Sequence, residues 1–447
     1  MHIVILGAGV VGIQIATQLI NEGKDVVLIE KDPSRAKYVS NHLDCIVINE
    51  EGNNLVSLKR AGISKADFFI SVTNSDEVNM IACGLVASEF NVPIKIARVR
   101  NLDYSSTRIV DKTFLGIDFM VNSEVETARQ IANTVALGAE SDVMLFENTS
   151  LQMRNITITD SSFFKDKSLK DIRQTIKESF LMAGIIREGE FIIPTGDTVL
   201  KEHDTIYLLA TKKKFTRIFM ETGRKRLKLD RILIIGGGRI GSLVCQYLVR
   251  TGRKITLIDS NYENCKELSE KFPEALIINA DISEEDIYEE EQLHTYDLIV
   301  TTTDNQELNI LTCIYAKSIG TRRAIALITK SNYLPIASKL SIDATISPKN
   351  CTVDAILKFI RRGDIKSVHS IFDGKAEVIE FYVNEKNRLA NCTLKDIEMP
   401  ENSLILSVVR EGESILPDGN LQILPGDLVL IIASKTSIAQ IESFFQV

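Results

Sequence analysis

Two glycine-rich turns carry most of the chemistry this sequence can do. Gly7-Ala8-Gly9-Val10-Val11-Gly12 follows the apolar run His2–Leu6, and Gly236-Gly237-Gly238-Arg239-Ile240-Gly241 follows Arg231–Ile235. Both have the G-x-G-x-x-G spacing of a dinucleotide-binding turn between a strand and a helix. The first glycine (Gly7, Gly236) permits the tight turn. The second (Gly9, Gly238) lets backbone approach a pyrophosphate, and the third (Gly12, Gly241) lets helix pack on strand. The helix opening at the turn offers unpaired N–H groups and a partial positive charge to phosphates. Glu30 and Asp259 end the next apolar run, each 18 residues beyond its third glycine (30 − 12 and 259 − 241). A carboxylate there accepts from ribose hydroxyls and repels a 2′-phosphate, which favours NAD(H) or an adenine nucleotide such as ATP or ADP over NADP. The alternative is a packing turn without a ligand, and it weighs more on the second copy.

That asymmetry comes from one position. Arg98, in Ile96-Ala97-Arg98-Val99-Arg100, aligns with Leu327 in Ile325-Ala326-Leu327-Ile328. An arginine at the C-terminal end of such a strand can meet phosphate bidentately, or make a surface ion pair instead. In the second copy Arg239, inside the glycine turn, is the available substitute. Thr73-Asn74 and Thr303-Asp304 close the fourth apolar run of each copy and suit hydrogen bonding to ribose or phosphate, or capping of the next helix. Cys83 and Cys313 match across the copies and read as core.

Residues for bond-making chemistry are missing from these places. The histidines His2, His42, His203, His294 and His369 share no matched position, and none sits in a strand-end motif. No H-E-x-x-H, G-x-S-x-G or P-loop occurs. The acidic run Glu284-Glu285-Asp286 with Glu289-Glu290-Glu291 can hold a cation, but a solvated helix face is the simpler reading. The seven cysteines are scattered without a C-x-x-C pair, which argues against a disulfide framework or a zinc site and for reduced thiols. These features disfavour an enzyme. An NAD-dependent oxidoreductase remains the rival reading.

The elements that must position these residues repeat. Apolar runs at 2–6, 25–30, 45–49, 67–72, 94–99 and 118–122, with helical patterns such as 11–22 and 77–90 between them, recur at 231–235, 254–259, 275–279, 297–302, 323–328 and 344–348. Alternating runs and helices predict a doubly wound parallel sheet. Downstream of each, Arg187-Glu188-Gly189 with Asp204 recurs as Arg410-Glu411-Gly412 with Asp427. Short alternating strands around Phe191-Ile192-Ile193, Thr205–Ala210 and Leu428–Ala433, and a short helix at Leu169–Lys177, make these segments small α+β modules. The expected fold class is α/β: two Rossmann-like domains, 1–138 and 230–366, each followed by a small module, 139–222 and 367–447, with a linker at 223–229. The basic stretch from Lys212-Lys213-Lys214 to Arg224-Lys225-Arg226-Leu227-Lys228 reads as a solvated helix end and linker, or as a face for an acidic or membrane-proximal partner. A chain of 447 residues with net charge −8 is a poor nucleic-acid binder. With no long apolar span and no basic leader it is expected in the cytoplasm.

The GAGVVG turn, Glu30, the run Val72-Thr73-Asn74-Ser75-Asp76-Glu77-Val78-Asn79-Met80, the run Ile96–Arg100 and the doubled architecture together resemble the peripheral, cytosolic subunits of bacterial Trk potassium-uptake systems. These are built of "regulator of potassium conductance" (KTN-type, TrkA-N) domains, each followed by a TrkA-C module. The resemblance spans the whole chain. It implies a homo-oligomeric ring of four chains docked under an integral membrane potassium-translocating subunit. It also implies NAD(H) or ATP/ADP held in the first domain by the glycine turn, Glu30, Thr73, Asn74 and Arg98, and a second site at Gly236–Gly241 and Asp259. The chain departs from the family at Asn49-Glu50-Glu51-Gly52-Asn53, where Gly-Asp is common after the third strand.

Overall fold

The computed structural model describes residues 1–101, 103–104, 114–136, 138–139, 143–146, 149–222, 229–284, 286–337, 340, 342–360, 365–371, 376–385, 387–434, 437 and 440–441. Parts of the basic stretch (223–228), and Glu285 of the acidic run, lie outside them.

Four sheets are built in chain order. β1 (His2–Leu6), β2 (Asp25–Ile29), β3 (Ile46–Ile48), β4 (Phe68–Ser71), β5 (Ile94–Arg98) and β6 (Phe119–Val121) form a sheet of order β3-β2-β1-β4-β5-β6, and every pairing is parallel. A strand covered on both faces needs apolar side chains on both, so residues 3–6 and 68–70 read as unbroken apolar runs. Ile3, Ile5, Leu28 and Ile70 are fully buried, each contributing roughly 1.5–3 kcal/mol by leaving water. β7 (Val143–Leu145), β8 (Leu151–Thr157), β9 (Leu181–Arg187), β10 (Glu190–Ile192) and β11 (Thr205–Thr211) make an antiparallel sheet of order β10-β9-β11-β8-β7.

The pattern then repeats. β12 (Arg231–Ile235), β13 (Lys254–Asp259), β14 (Leu276–Asn279), β15 (Leu298–Thr301), β16 (Arg323–Leu327) and β17 (Ala344–Ile346) reproduce the parallel order as β14-β13-β12-β15-β16-β17. β18 (Ile365–Ile371), β19 (Ala376–Tyr382), β20 (Ser403–Arg410), β21 (Glu413–Ile415) and β22 (Leu428–Ser434) form the second antiparallel sheet. Two Rossmann-like parallel-sheet domains and two small α+β modules therefore follow the fold class read from the sequence. In the modules the sequence pattern marks only β10, β11 and β22, and the other seven strands appear only in the structure.

The chain does not group as it runs. The two parallel-sheet domains, Met1–Ser141 with Lys228–Ile360, make one compact unit, and the two modules make the other. Within the first unit the domains exchange helices. The helix Ser123–Ala136, which follows β6, sends Ala128, Ile131 and Val135 into a core with Ile232, Ile234 and Leu248 of the second domain. The helix Pro348–Ile360, which follows β17, sends Val353, Ile356 and Leu357 into a core with Ile3, Ile15 and Leu19 of the first. Phe359 stacks on Phe119, ring centroids 4.4 Å apart. Each parallel-sheet domain is thus completed by the other. Within the second unit Leu151, Met153 and Leu209 share a core with Val378, Leu406 and Leu430. Among the described residues no helix is long and apolar enough to cross a membrane.

Candidate functional site

In a doubly wound sheet the ends of β1 and β4 splay because their connections run to opposite faces, and a ligand crevice opens there. A cleft of about 290 Å³ lies at this point. Its floor is apolar, from Leu6, Ile29, Val72 and Val78. Its rim carries Gly7, Gly9 and Glu30, then Thr73, Asn74 and Ser75, and then Lys31, Arg35, Glu50, Glu51 and Asn53, while Gly52 lies against Leu6 of the floor.

The glycine turn owes its shape to contacts that only glycine permits. Gly7 sits at φ +107°, in the left-handed region. A Cβ at Gly12 would stand 1.9 Å from the carbonyl oxygen of Gly7, so the third glycine is required by the turn itself as well as by helix packing. Gly9 caps the helix Val10–Asn21 without a side-chain bond, and a Cβ there would meet nothing within 4 Å. No side chain of the cap therefore satisfies the N–H groups of this first helical turn. Ala8 and Val11 are buried, whereas Val10 is half exposed.

Glu30 does more than the sequence indicated. It is buried, and its two oxygens accept from the backbone N–H of Ala8 at 2.7 Å and of Asp32 at 2.9 Å. The carboxylate thus fastens the glycine turn to the end of β2. Replacing Glu30 with alanine leaves the buried Ala8 N–H unpaired, which costs about 1–3 kcal/mol. A urea unfolding titration is expected to show that loss. Unaltered stability would mean that the carboxylate is not the tie described here.

Thr73 and Asn74 reach the cleft, but neither caps the following helix. That role belongs to Ser75, whose hydroxyl accepts from Val78 N at 3.2 Å. The Thr73 hydroxyl instead donates to Asn79 Oδ1 at 2.7 Å, and Asn79 Nδ2 donates to the Arg98 carbonyl at 2.8 Å. Asn79 is fully buried. It ties the end of β4 to β5, and Asn309 repeats the arrangement with Thr303 and the Leu327 carbonyl. Its appearance at the same place in both copies was the available signal.

Arg98 stands at the end of β5, as its position in the sequence implies, yet it does not line the cleft. β5 lies two strands from β1, and the Arg98 side chain turns to the helix after β6, where Nε donates to Ser123 Oγ at 3.1 Å. Burial, and then the neighbouring Arg100, lower its pKa from the ordinary arginine value, against the opposing pull of Asp76 and Glu124.

The second glycine turn repeats the first in backbone. Gly236 has φ +97°, and a Cβ at Gly241 would stand 1.9 Å from the Gly236 carbonyl oxygen. Asp259 accepts from Gly237 N at 2.6 Å and Asn261 N at 2.9 Å. Gly238 caps the helix Arg239–Val249, and Ile240 packs beside the core that takes in the exchanged helix. Arg239 is engaged: its guanidinium lies 3.3 Å from Glu124 Oε1 of the first domain.

The thiols matched across the repeat are core. Cys83 and Cys313 are fully buried, and burial pushes the first far up and the second to about 12. Among the described residues no group of three or more His, Cys, Asp or Glu side chains is placed to hold a metal ion.

Residues 3–123 and 232–348 match the TrkA-N domain family, and residues 153–220 and 378–446 match the TrkA-C domain family. Along its whole length the chain is 30% identical to the "Trk system potassium uptake protein TrkA" of Azorhizobium caulinodans, covering 99% of that protein. It is also 30% identical to the TrkA homolog of Archaeoglobus fulgidus, covering all of it. Among solved structures, "GsuK channel bound to NAD" superposes with a TM-score of 0.57 at 16% identity, over 99% of this chain and 78% of that one. The "GsuK RCK domain" gives the same TM-score over 94% of its length. At such identity these structures speak for the fold.

Proposed function

Because the chain belongs to the TrkA family of Trk potassium-uptake proteins, we propose that it is a nucleotide-sensing regulatory subunit that works through a membrane potassium-translocating partner. The observation that carries the reading is the cleft, in which the glycine turn, Glu30 and an apolar floor converge. Its proposed ligand is NAD(H) or ATP/ADP. The base lies on the apolar floor, the ribose meets Glu30, and the phosphates meet the N–H groups after Gly9. Arg98 and Ser123 stand beyond Thr73 and Asn74, and we assign them to the far end of a longer ligand.

Sensing follows from what the turn touches. The helix Val10–Asn21 that begins at the turn packs against the helix Pro348–Ile360 supplied by the second domain. Gln14 of the first reaches Asn350 of the second at 3.2 Å. A ligand that shifts the first helix therefore acts on the pairing of the two domains. In a ring of such chains, proposed as four, occupancy biases one arrangement of paired domains over another. A ligand bound equally by both arrangements gates nothing. A shift from 1:99 to 99:1 requires about 5.5 kcal/mol of differential binding, which identical sites around a ring can share.

This reading makes the protein a binder and not an enzyme. Equilibrium dialysis with NADH, ATP and ADP is expected to show binding, and bound NADH is expected to keep its absorbance for hours when small carbonyl compounds are added. Steady oxidation of NADH would favour the oxidoreductase alternative. A pull-down from membranes is expected to retain an integral potassium-transport protein.

A further inference from the structure

The two glycine turns share a backbone, and Ile29, Glu30 and Thr73 keep like counterparts in Ile258, Asp259 and Thr303, but other walls of the first cleft change in the second domain. Strand register sets the correspondence. Ile29 pairs with Ile48 as Ile258 pairs with Ile278, and the next residues, Asn49 and Asn279, each donate from Nδ2 to the carbonyl of the strand-end acid, at 2.8 Å and 3.0 Å. Three residues further on stand Gly52 and Ile282.

Gly52 is buried against the floor of the first cleft, where a Cβ would lie 2.2 Å from Leu6 Cδ1. The absence of a side chain there lets Leu6 pack on the backbone, and a side chain at 52 would have to displace Leu6 or enter the cleft. Ile282 is 4% exposed and packs in one cluster with Ile235, Ile258 and Leu308, the counterparts of Leu6, Ile29 and Val78 on that floor. The second domain thus carries a buried four-carbon side chain against the same floor where the first carries none.

The polar rim changes in the same sense. Lys31 and Arg35 line the first cleft. Asp32 and Asn261 cap the equivalent helices, which makes Ser260 and Asn264 the counterparts of those two cations. Beyond the rim Leu327 stands for Arg98, and Arg239, the one cation the second turn adds, lies 3.3 Å from Glu124.

We infer that Ile282 closes the base slot of the second domain and that the chain binds one nucleotide, in the first domain only. The second domain keeps the turn as the seat of the exchanged helix. This rests on the reading of the first cleft as a nucleotide site, and Gly52 and Arg35 become the residues that distinguish a binding domain from a packing domain.

Binding stoichiometry on the intact protein tests it, with ADP, ATP and NADH as probes in calorimetric titration. One equivalent per chain supports the inference. Two equivalents of any probe overturn it while leaving the nucleotide reading standing. No binding of all three fails the nucleotide reading itself, and the inference with it. Gly52→Ile carries the second domain's side chain into the first and is expected to weaken binding at least tenfold. Arg35→Asn changes an exposed residue that the fold does not need, and is expected to weaken binding severalfold at unchanged thermal midpoint. Wild-type affinity in Arg35→Asn, or in a folded Gly52→Ile protein, overturns the assignment.

Discussion

Gly12→Ala is expected to unfold the first domain's turn and abolish nucleotide binding, whereas Gly9→Ala, three residues away, is expected to leave the fold intact. The added methyl at position 12 would stand 1.9 Å from the Gly7 carbonyl oxygen, and 3.4 Å from Val72 Cγ2. A flexible side chain could swing away from such a contact, but this one is backbone. Gly7 is held by its own N–H to the Ile29 carbonyl at 2.9 Å and by a φ that few other residues adopt. Relief therefore requires the helix Val10–Asn21 to lift off β1. That helix buries Val11, Ile15, Ala16 and Leu19, so the strain is shared with the core that receives the exchanged helix. Ordinary overpacking costs about 1–3 kcal/mol, and a backbone clash at this distance is expected to exceed the upper end. At Gly9 the backbone is extended (φ −72°, ψ −179°) and the Cβ meets nothing. Its methyl changes stability by no more than about 0.5 kcal/mol, but it projects where phosphates would approach. Urea titrations on both variants, paired with ADP binding, check this. A Gly12→Ala protein as stable as wild type would contradict the turn geometry.

Both glycine variants probe features that were legible in the sequence, and the reason is that they are local. A tight turn, a helix start and an acid 18 residues on are set by neighbours in the chain, and the apolar runs of β1 to β6 by burial on both faces. What stayed hidden depends on residues far apart. Nothing in the spacing of Ala128, Ile131 and Val135 says that their partners are Ile232 and Leu248 and not the sheet they follow. The stripe is the same in either case. Arg98 was placed on the right strand end, but which neighbour its side chain meets depends on the helix beginning at Ser123. The Glu30 carboxylate is visible in the sequence as charge, whereas the buried N–H of Ala8 that it satisfies is invisible until the turn is folded. Gly52 stood inside a run noted only as a departure from the family. Its meaning appears when Ile282 is seen in the equivalent place.

Arg187→Ala is expected to destabilise the first small module by about 3–5 kcal/mol, the scale for leaving one partner of a buried ion pair alone. Asp204 has 2% of its side chain exposed and accepts from Arg187 Nε at 2.9 Å, Arg187 Nη2 at 2.7 Å and Lys201 N at 2.8 Å. Arg187 also donates to the Val199 carbonyl at 2.8 Å, so one guanidinium pins the loop before β11 to the end of β9. The second module repeats the device with Arg410, Asp427 and the Gln422 carbonyl. This structural pairing accounts for the recurrence of the Arg-Glu-Gly and Asp pair in the sequence. Burial alone would raise the pKa of Asp204, but the hydrogen bonds from Arg187 and Lys201 outweigh it and hold the carboxyl below its ordinary value. A group depressed in the folded state contributes stability that is present above its unfolded pKa, about 3.9, and lost as pH falls through the folded value. The wild-type module is therefore expected to lose this contribution below about pH 4, and Asp204→Asn, which has no proton to take up, is expected to show a shallower acid limb. Removing both partners in Arg187→Ala/Asp204→Ala should cost less than the two single changes added together, because each single change strands a charge and the double change strands none. Additive losses in that cycle, with equal acid limbs for wild type and Asp204→Asn, would show that the pair does not hold the module together.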